Sequence, residues 1–353
     1  MTKSAIETAI DQGMHRFLAD GVHYRDLMDV RAAAPDWAAW PTTWSQWAEA
    51  AEKRGEDALA AGNTATAATE LARASLYFHY GQYLLFDDLA LKKRVHDRKR
   101  DAFKRAAPLF NVPMERVEIP FDGIKMAAYF RVPQGVTRPP CVILLGGLDT
   151  TKEDYLTVAD HCVQRGLATL AFDGPGQGET LFEMRWRKDF ERAVIAVVDY
   201  LEGRPEIDKA RIGIIGRSMG GCYAPKTAAL DRRIKALVAW GAMYHLRNLA
   251  EVPKHTLEGF LFVSNSKTIE EGKEFYASID LSGFAPKITC PTLVVHGGLD
   301  AITPLDNATS LIKDLRCHVE TMIWDDSIHC CHDRAHIVRP GMADFMRRHL
   351  AAA

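Results

Sequence analysis

The hydrophobic pattern changes character near residue 110. Before it, apolar positions recur every three or four residues in a background of Ala, Glu, Lys, Arg and Leu, with few β-branched runs. That spacing predicts amphipathic helices. Trp44 to Ala61 and Ala65 to Phe86 read as two of them, with Gly62-Asn63 as the break. Asp88 to Ala106 reads as a third, basic on its outer face and closed by Pro108 and Pro113. Trp37, Trp40, Trp44 and Trp47 follow the same spacing, which predicts an aromatic stripe buried between helices; the alternative is that one or two of them line a substrate pocket. No internal repeat is visible.

Beyond residue 110 the rhythm becomes strand and turn, then strand and helix in alternation. Arg116 to Phe121 and Lys125 to Val132 are strand-like and joined by Asp122-Gly123, a dipeptide that favours a primed hairpin turn. Six short apolar runs follow: Cys141 to Leu145, Ala168 to Phe172, Ile212 to Ile215, Ala236 to Trp240, Thr292 to His296 and Val319 to Ile323. Near-continuous apolar strands imply burial on both faces, hence a mostly parallel sheet flanked by helices. The intervening helices are expected at Lys152 to Arg165, Trp186 to Glu202, Gly220 to Ala229, Leu305 to Leu315 and Gly341 to Leu350. One interval breaks the rhythm. From His245 to Lys287 the chain is too long for one ordinary connection and has helical character, which predicts a cap inserted above the C-terminal ends of the strands. The expected organisation is therefore an all-helical domain over residues 1–110, serving as cap or dimerisation domain, and an α/β catalytic domain over residues 111–353 with a cap insertion at about 245–287.

Charge and composition narrow the partners. A formal net charge of -2 offers no basic face for nucleic acid or an anionic membrane. No segment approaches a membrane span, and the first residues lack the apolar stretch of a signal peptide. The seven cysteines, an odd number, fit free thiols in a reducing cytoplasm. The expected partner is a small-molecule substrate.

The chemistry lies at strand ends. Gly216-Arg217-Ser218-Met219-Gly220 follows the apolar run Ile212 to Ile215 and opens a small-residue helix. The flanking glycines let the serine occupy a strained strand-to-helix turn, with its hydroxyl at a helix N-terminus. A serine hydroxyl needs a base to take its proton, and the partners should follow in the order acid, then histidine. Asp300 ends the strand and glycine turn Thr292 to Leu299, and His329 follows the last strand. The nucleophile, acid and base each fall just beyond the C-terminal end of a strand, which predicts a triad of Ser218, Asp300 and His329. His332 is the rival base. Asp306 reads as a helix-start residue, Asp325 and Asp326 as shapers of the histidine loop, and His296 as a packed strand-end residue. His329-Cys330-Cys331-His332 cannot close a tetrahedral metal site without strain and has no second ligand cluster, so no metal is expected. The oxyanion donors should be the N–H of Met219 and one from the Gly146-Gly147-Leu148 turn, either Leu148 or Gly147. Phe172-Asp-Gly-Pro-Gly-Gln-Gly-Glu lacks the spacing of a P-loop or dinucleotide fingerprint and reads as a structural turn tied down by Asp173, so no cofactor is expected.

The pieces LGGLDTTKE, FDGPGQGE, IGRSMGG, VVHGGLD and HCCH together resemble α/β-hydrolases with an N-terminal helical domain. That group includes carbon–carbon bond hydrolases of bacterial nicotine catabolism and fungal polyketide-shortening hydrolases. The resemblance runs over nearly the whole chain. It implies the same triad, a cavity between the helical domain and the sheet, a homodimer, and a substrate with a carbonyl next to the scissile bond. It also implies an additional polar residue after the strand ending at Trp240, where Tyr244, His245 and Glu251 are the candidates for substrate binding.

Overall fold

The computed structural model describes residues 5–351, so residues 1–4 and 352–353, the outer ends of the two expected domains, lie outside the described residues. The chain divides into two compact units, one ending at Arg116 and the other beginning at Val117.

The first unit is helical: α1 (Ala5–Asp20), α2 (Tyr24–Ala33), α3 (Trp40–Ala60), α4 (Thr64–Gln82) and α5 (Leu89–Ala106). Two helices thus precede the three that the sequence predicts. In α1 the buried positions are Ile6, Ile10, Phe17 and Asp20, with the apolar three spaced along one helix face. α3 starts earlier than expected because Pro41 sits in its first turn, where a missing N–H costs nothing. The tryptophan stripe is buried only at its centre. Trp40 and Trp44 pack with Phe17, Tyr77 and Tyr80, whereas Trp37 is 40% exposed and Trp47 half-buried. The basic face of α5 meets acids of α3: Arg98 pairs with Glu49 and Glu52, and Arg105 with Glu52 and Glu56.

The second unit is built on one eight-stranded sheet in the order β1-β2-β4-β3-β5-β6-β7-β8. The strands are β1 (Glu115–Phe121), β2 (Ile124–Arg131), β3 (Cys141–Leu145), β4 (Ala168–Phe172), β5 (Ile212–Arg217), β6 (Ile234–Trp240), β7 (Thr292–Gly297) and β8 (Val319–Trp324). Asp122 and Gly123 both have positive φ, 43° and 85°, as the primed turn requires. β2 runs antiparallel to β4, and β4-β3-β5-β6-β7-β8 are parallel throughout. Alternate residues of the inner strands feed two cores. Ile143 and Ile214 pack with Val194, Val197, Val198 and Leu201 of α7 (Glu191–Glu202) and with Ala224 and Ala228 of α8 (Gly220–Leu230). Val142, Leu144 and Ile215 pack with Val158 and Cys162 of α6 (Leu156–Val163) and with Val338, Met342 and Phe345 of α12 (Ala335–His349). This is the two-sided burial that the continuous apolar runs predict.

α4 ends at Gln82 rather than Phe86, and in the second unit three helix starts differ from expectation. Lys152–Tyr155 is a 3-10 turn before α6. α7 begins at Glu191 rather than Trp186, because the Trp186 N–H donates to Val263 O and its ring stacks on Phe190. α12 begins at Ala335 and carries Pro340 inside it, six residues before the expected start at Gly341. The interval after β6 is helical as expected. It holds α9 (Lys254–Ser264), α10 (Ile269–Tyr276) and a 3-10 turn at Ala285–Lys287, with a β-bridge between His245 and Asp280 at its base. α11 (Asp306–Asp314) links β7 to β8. Among the described residues no helix is long and apolar enough to cross a membrane.

Candidate active site

Ser218 stands between β5 and α8 with φ 56°, a left-handed conformation that costs a non-glycine residue about 1–3 kcal/mol. The surroundings hold it there. Its N–H donates to Trp240 O at 2.8 Å across the neighbouring strand. A Cβ on Gly216 would collide with the carbonyl of Gly220 and lie 2.6 Å from Ala224 Cβ, so strand and helix meet main chain to main chain. Ser218 itself is half-buried.

Ser218 Oγ lies 3.0 Å from His329 Nε2, and His329 Nδ1 lies 2.6 Å from Asp300 Oδ2. With Nδ1–H donating to the carboxylate, Nε2 is left to accept the serine proton. Asp300 is buried and fixed from three further directions. It accepts from Ile302 N at 2.9 Å, Thr303 N at 2.8 Å and Thr303 Oγ1 at 2.8 Å. The acid and base loops interlock: a Cβ on Gly297 or Gly298 would strike the backbone of Ile328 or Asp325. Immediately after the base, Cys330 and Cys331 both have positive φ, 57° and 48°, which turns the chain tightly behind the imidazole.

The electrostatics suit proton transfer. Burial disfavours the His329 imidazolium, but the adjoining Asp300 carboxylate outweighs it and holds the pKa well above the ordinary histidine value. Burial would raise Asp300, yet His329 pulls it below the usual carboxylate range. His296, 3.9 Å from Asp300 Oδ2, is kept low by burial and donates from Nε2 to Thr303 O at 2.8 Å.

The other histidines and acids lie elsewhere. His332 packs edge-on against Trp240, with ring centroids 5.8 Å apart, whereas the imidazole hydrogen-bonded to Ser218 is that of His329. Cys330 Sγ faces Trp240 O at 3.8 Å. Asp306 opens α11 and pairs with His245, and Asp326 pairs with Arg334. Gly147 lies against Ser218: a Cβ there would be 3.0 Å from Ser218 Cβ. The N–H groups of Gly147, Leu148 and Met219 have no acceptor among the described residues. Tyr244 and His245 follow β6 on the same run as Gly241, but their polar atoms turn to α11. The Tyr244 hydroxyl donates to Asp314, both backbone N–H groups donate to Asn307 Oδ1 at 2.9 Å, and His245 Nε2 is 3.1 Å from Asp306. Glu251 is exposed. Two supporting residues escaped the sequence reading. Thr303 was legible in principle, as a hydroxyl three residues beyond the acid; Gln177 was not, because its partner is Gly147 O, 2.8 Å away on another loop.

Comparison with known proteins places this site in a family. A family model described as esterase FrsA-like matches residues 30–267. The chain is 35% identical over 333 residues to 2,6-dihydropseudooxynicotine hydrolase of Paenarthrobacter nicotinovorans, spanning 94% of this chain and 90% of that protein. It is 35% identical over 193 residues to the hydrolyase poxO of Penicillium oxalicum, where the match covers 49% of this chain and 45% of the fungal protein. Its structure superposes on the crystal structure of the 2,6-dihydroxy-pseudo-oxynicotine hydrolase with a TM-score of 0.89, at 35% identity and covering 96% of both chains. AbyA5, at 18% identity and a TM-score of 0.74, shares the fold. The chain belongs to the FrsA-like esterase family of α/β-hydrolases, and it is a hydrolase.

Proposed function

We propose that Ser218, His329 and Asp300 are the catalytic triad of this hydrolase, and that it cleaves a carbon–carbon bond next to a carbonyl in a small ketone or 1,3-diketone on an aromatic or heteroaromatic ring. The observation that carries the reading is the unbroken chain Ser218 Oγ, His329 Nε2, His329 Nδ1, Asp300 Oδ2. His329 takes the serine proton while Asp300 holds the tautomer and offsets the positive charge. Ser218 Oγ adds to the carbonyl carbon, and the oxyanion meets the N–H of Met219 and one from the Gly147-Leu148 turn. Collapse breaks the carbon–carbon bond, the leaving carbon departs as an enolate, and His329 returns the proton to it. Water, deprotonated by His329, then attacks the acyl-serine and releases a carboxylic acid. His329 carries the proton in each of these steps; Tyr244 and His245, which follow β6 and are tied to α11, are the candidates for binding the substrate.

The likeness to the dihydroxypseudooxynicotine hydrolase supports carbon–carbon cleavage. The family description supports a second reading, ester or amide hydrolysis of a small aromatic or polyketide-like substrate, with an alkoxide or amine as leaving group. A fluorophosphonate probe tests the nucleophile: wild-type protein is expected to label and Ser218→Ala to stay unlabelled. Aryl 1,3-diketones against aryl esters test the bond. Efficient ester turnover with every diketone untouched would leave only the second reading; label on folded Ser218→Ala would remove the triad.

A further inference from the structure

The glycine-rich turn after β4 has so far had only a structural role. Its hydrogen bonds point to more. Asp173 is fully buried and accepts from Lys152 N at 2.8 Å, Lys152 Nζ at 2.7 Å and Glu179 N at 3.0 Å. The Thr180 hydroxyl donates to Asp173 O at 2.7 Å. This anchoring fixes the turn that carries Gln177, a side chain 2% exposed. Both ends of the Gln177 amide are engaged. Oε1 accepts from Gly174 N at 3.1 Å, which orients the amide, and Nε2 donates to Gly147 O at 2.8 Å.

Gly147 O belongs to the same peptide unit as Leu148 N–H. There are no cis peptide bonds among the described residues, and in a planar trans peptide the C=O and N–H point in opposite directions. Holding Gly147 O toward Gln177 therefore turns Leu148 N–H away from it. Gly147 is in van der Waals reach of Ser218: a Cβ there would stand 3.0 Å from both Ser218 Cβ and Arg217 O, and 3.6 Å from Ser218 Oγ. The N–H that Gln177 turns away from itself belongs to the turn that packs on Ser218, and it has no acceptor of its own among the described residues. Gly147 has no side chain to fix its own conformation, so the orientation of the Gly147–Leu148 peptide depends on outside contacts. Without an external clamp, Leu148 N–H could rotate off target and present Gly147 O, an acceptor, to the developing negative charge.

We propose that Gln177 is a positioning residue that sets the Gly147–Leu148 peptide, making Leu148 N–H rather than Gly147 N–H the second oxyanion donor. This rests on the serine-triad reading above. The role is electrostatic preorganisation: the donor is aimed before charge develops, so its loss appears in turnover rather than in binding.

The test uses full-length enzyme, p-nitrophenyl acetate as probe, and two variants checked for folding by near-ultraviolet circular dichroism. Gln177→Met keeps the volume and removes the donor. It is expected to lower kcat by about 10²-fold, the usual loss of one oxyanion donor, with KM little changed. Gln177→Glu is isosteric and adds a signature that simple loosening of the loop cannot produce. As a carboxylate it repels Gly147 O; protonated, it can again donate. Burial raises the pKa of such a carboxyl. The ratio of Gln177→Glu kcat to wild-type kcat is therefore expected to be low at alkaline pH and to climb as the pH falls. Folded Gln177→Met with wild-type kcat, or a ratio independent of pH, would overturn the assignment. Failure of the triad reading looks different: wild-type protein itself would then lack Ser218-dependent turnover of the ester.

Discussion

At the scale of single residues, proton affinity and backbone strain govern the site. His329 has to be neutral to accept the serine proton, and Asp300 holds its pKa well above the ordinary value of 6.5. Activity is therefore expected to be low in mildly acidic solution and to rise with a midpoint above 6.5, measured as kcat/KM or as the rate of fluorophosphonate labelling against pH. The same titration has the opposite sign for stability. A histidine whose folded pKa exceeds its unfolded one contributes stability that is fully present below the unfolded value and lost as pH rises through the folded one. The enzyme should gain activity over the window in which this ion pair stops stabilising it. His329→Ala should flatten the stability trend, read from unfolding midpoints. Much of this was legible along the chain. Ser218 announces itself by glycines at the second position on either side, and Asp300 and His329 by following strands in the expected order. The partner of Gln177 was hidden because the two loops meet only in the fold, 30 positions apart.

Among elements, the least ordinary is the 3-10 turn before α6. Lys152 Nζ is fully buried and lies 2.7 Å from carboxylate oxygens of Glu153, Asp173 and Glu179. Burial alone would lower its pKa, but the three acids outweigh that and hold it well above the ordinary lysine value. Lys152→Met would leave that negative charge buried without its cation. A loss of about 3–5 kcal/mol is expected, read as a lower denaturation midpoint in urea. Arg98→Ala removes the ion pairs to Glu49 and Glu52 at a side chain 47% exposed, and should cost no more than about 1 kcal/mol. Element boundaries divide by cause. The inner strands are readable to within two residues, because burial on both faces leaves uninterrupted apolar runs such as Cys141 to Leu145. α12 was read too short because Pro340 resembles a stop signal, yet it lies within the helix. The start of α7 depends on where Trp186 packs, and local spacing carries no trace of that. In α1, Ile6, Ile10, Met14 and Phe17 recur at three or four residues, so the helix is legible from spacing alone.

Across the whole molecule, the seven cysteines are all free, six of them buried and Cys317 half-exposed. Burial pushes the thiols of Cys162, Cys222 and Cys331 up to about 12, so they are poor nucleophiles. Native protein is expected to show one fast-reacting thiol with an aromatic disulfide reagent and seven after denaturation; several fast thiols in native protein would contradict the burial. The close approach of main chain to main chain at Gly147, Gly216 and Gly297 has a broader consequence. Geometry at the reacting centre is set by backbone contacts that admit no side chain, and is largely indifferent to which residues occupy the surface of α9 and α10. Selectivity can then drift while the machinery stands still. Exchanging α9 and α10 for those of a relative, with Gly241 to His245 kept, should leave the enzyme equally reactive toward a small, undemanding ester.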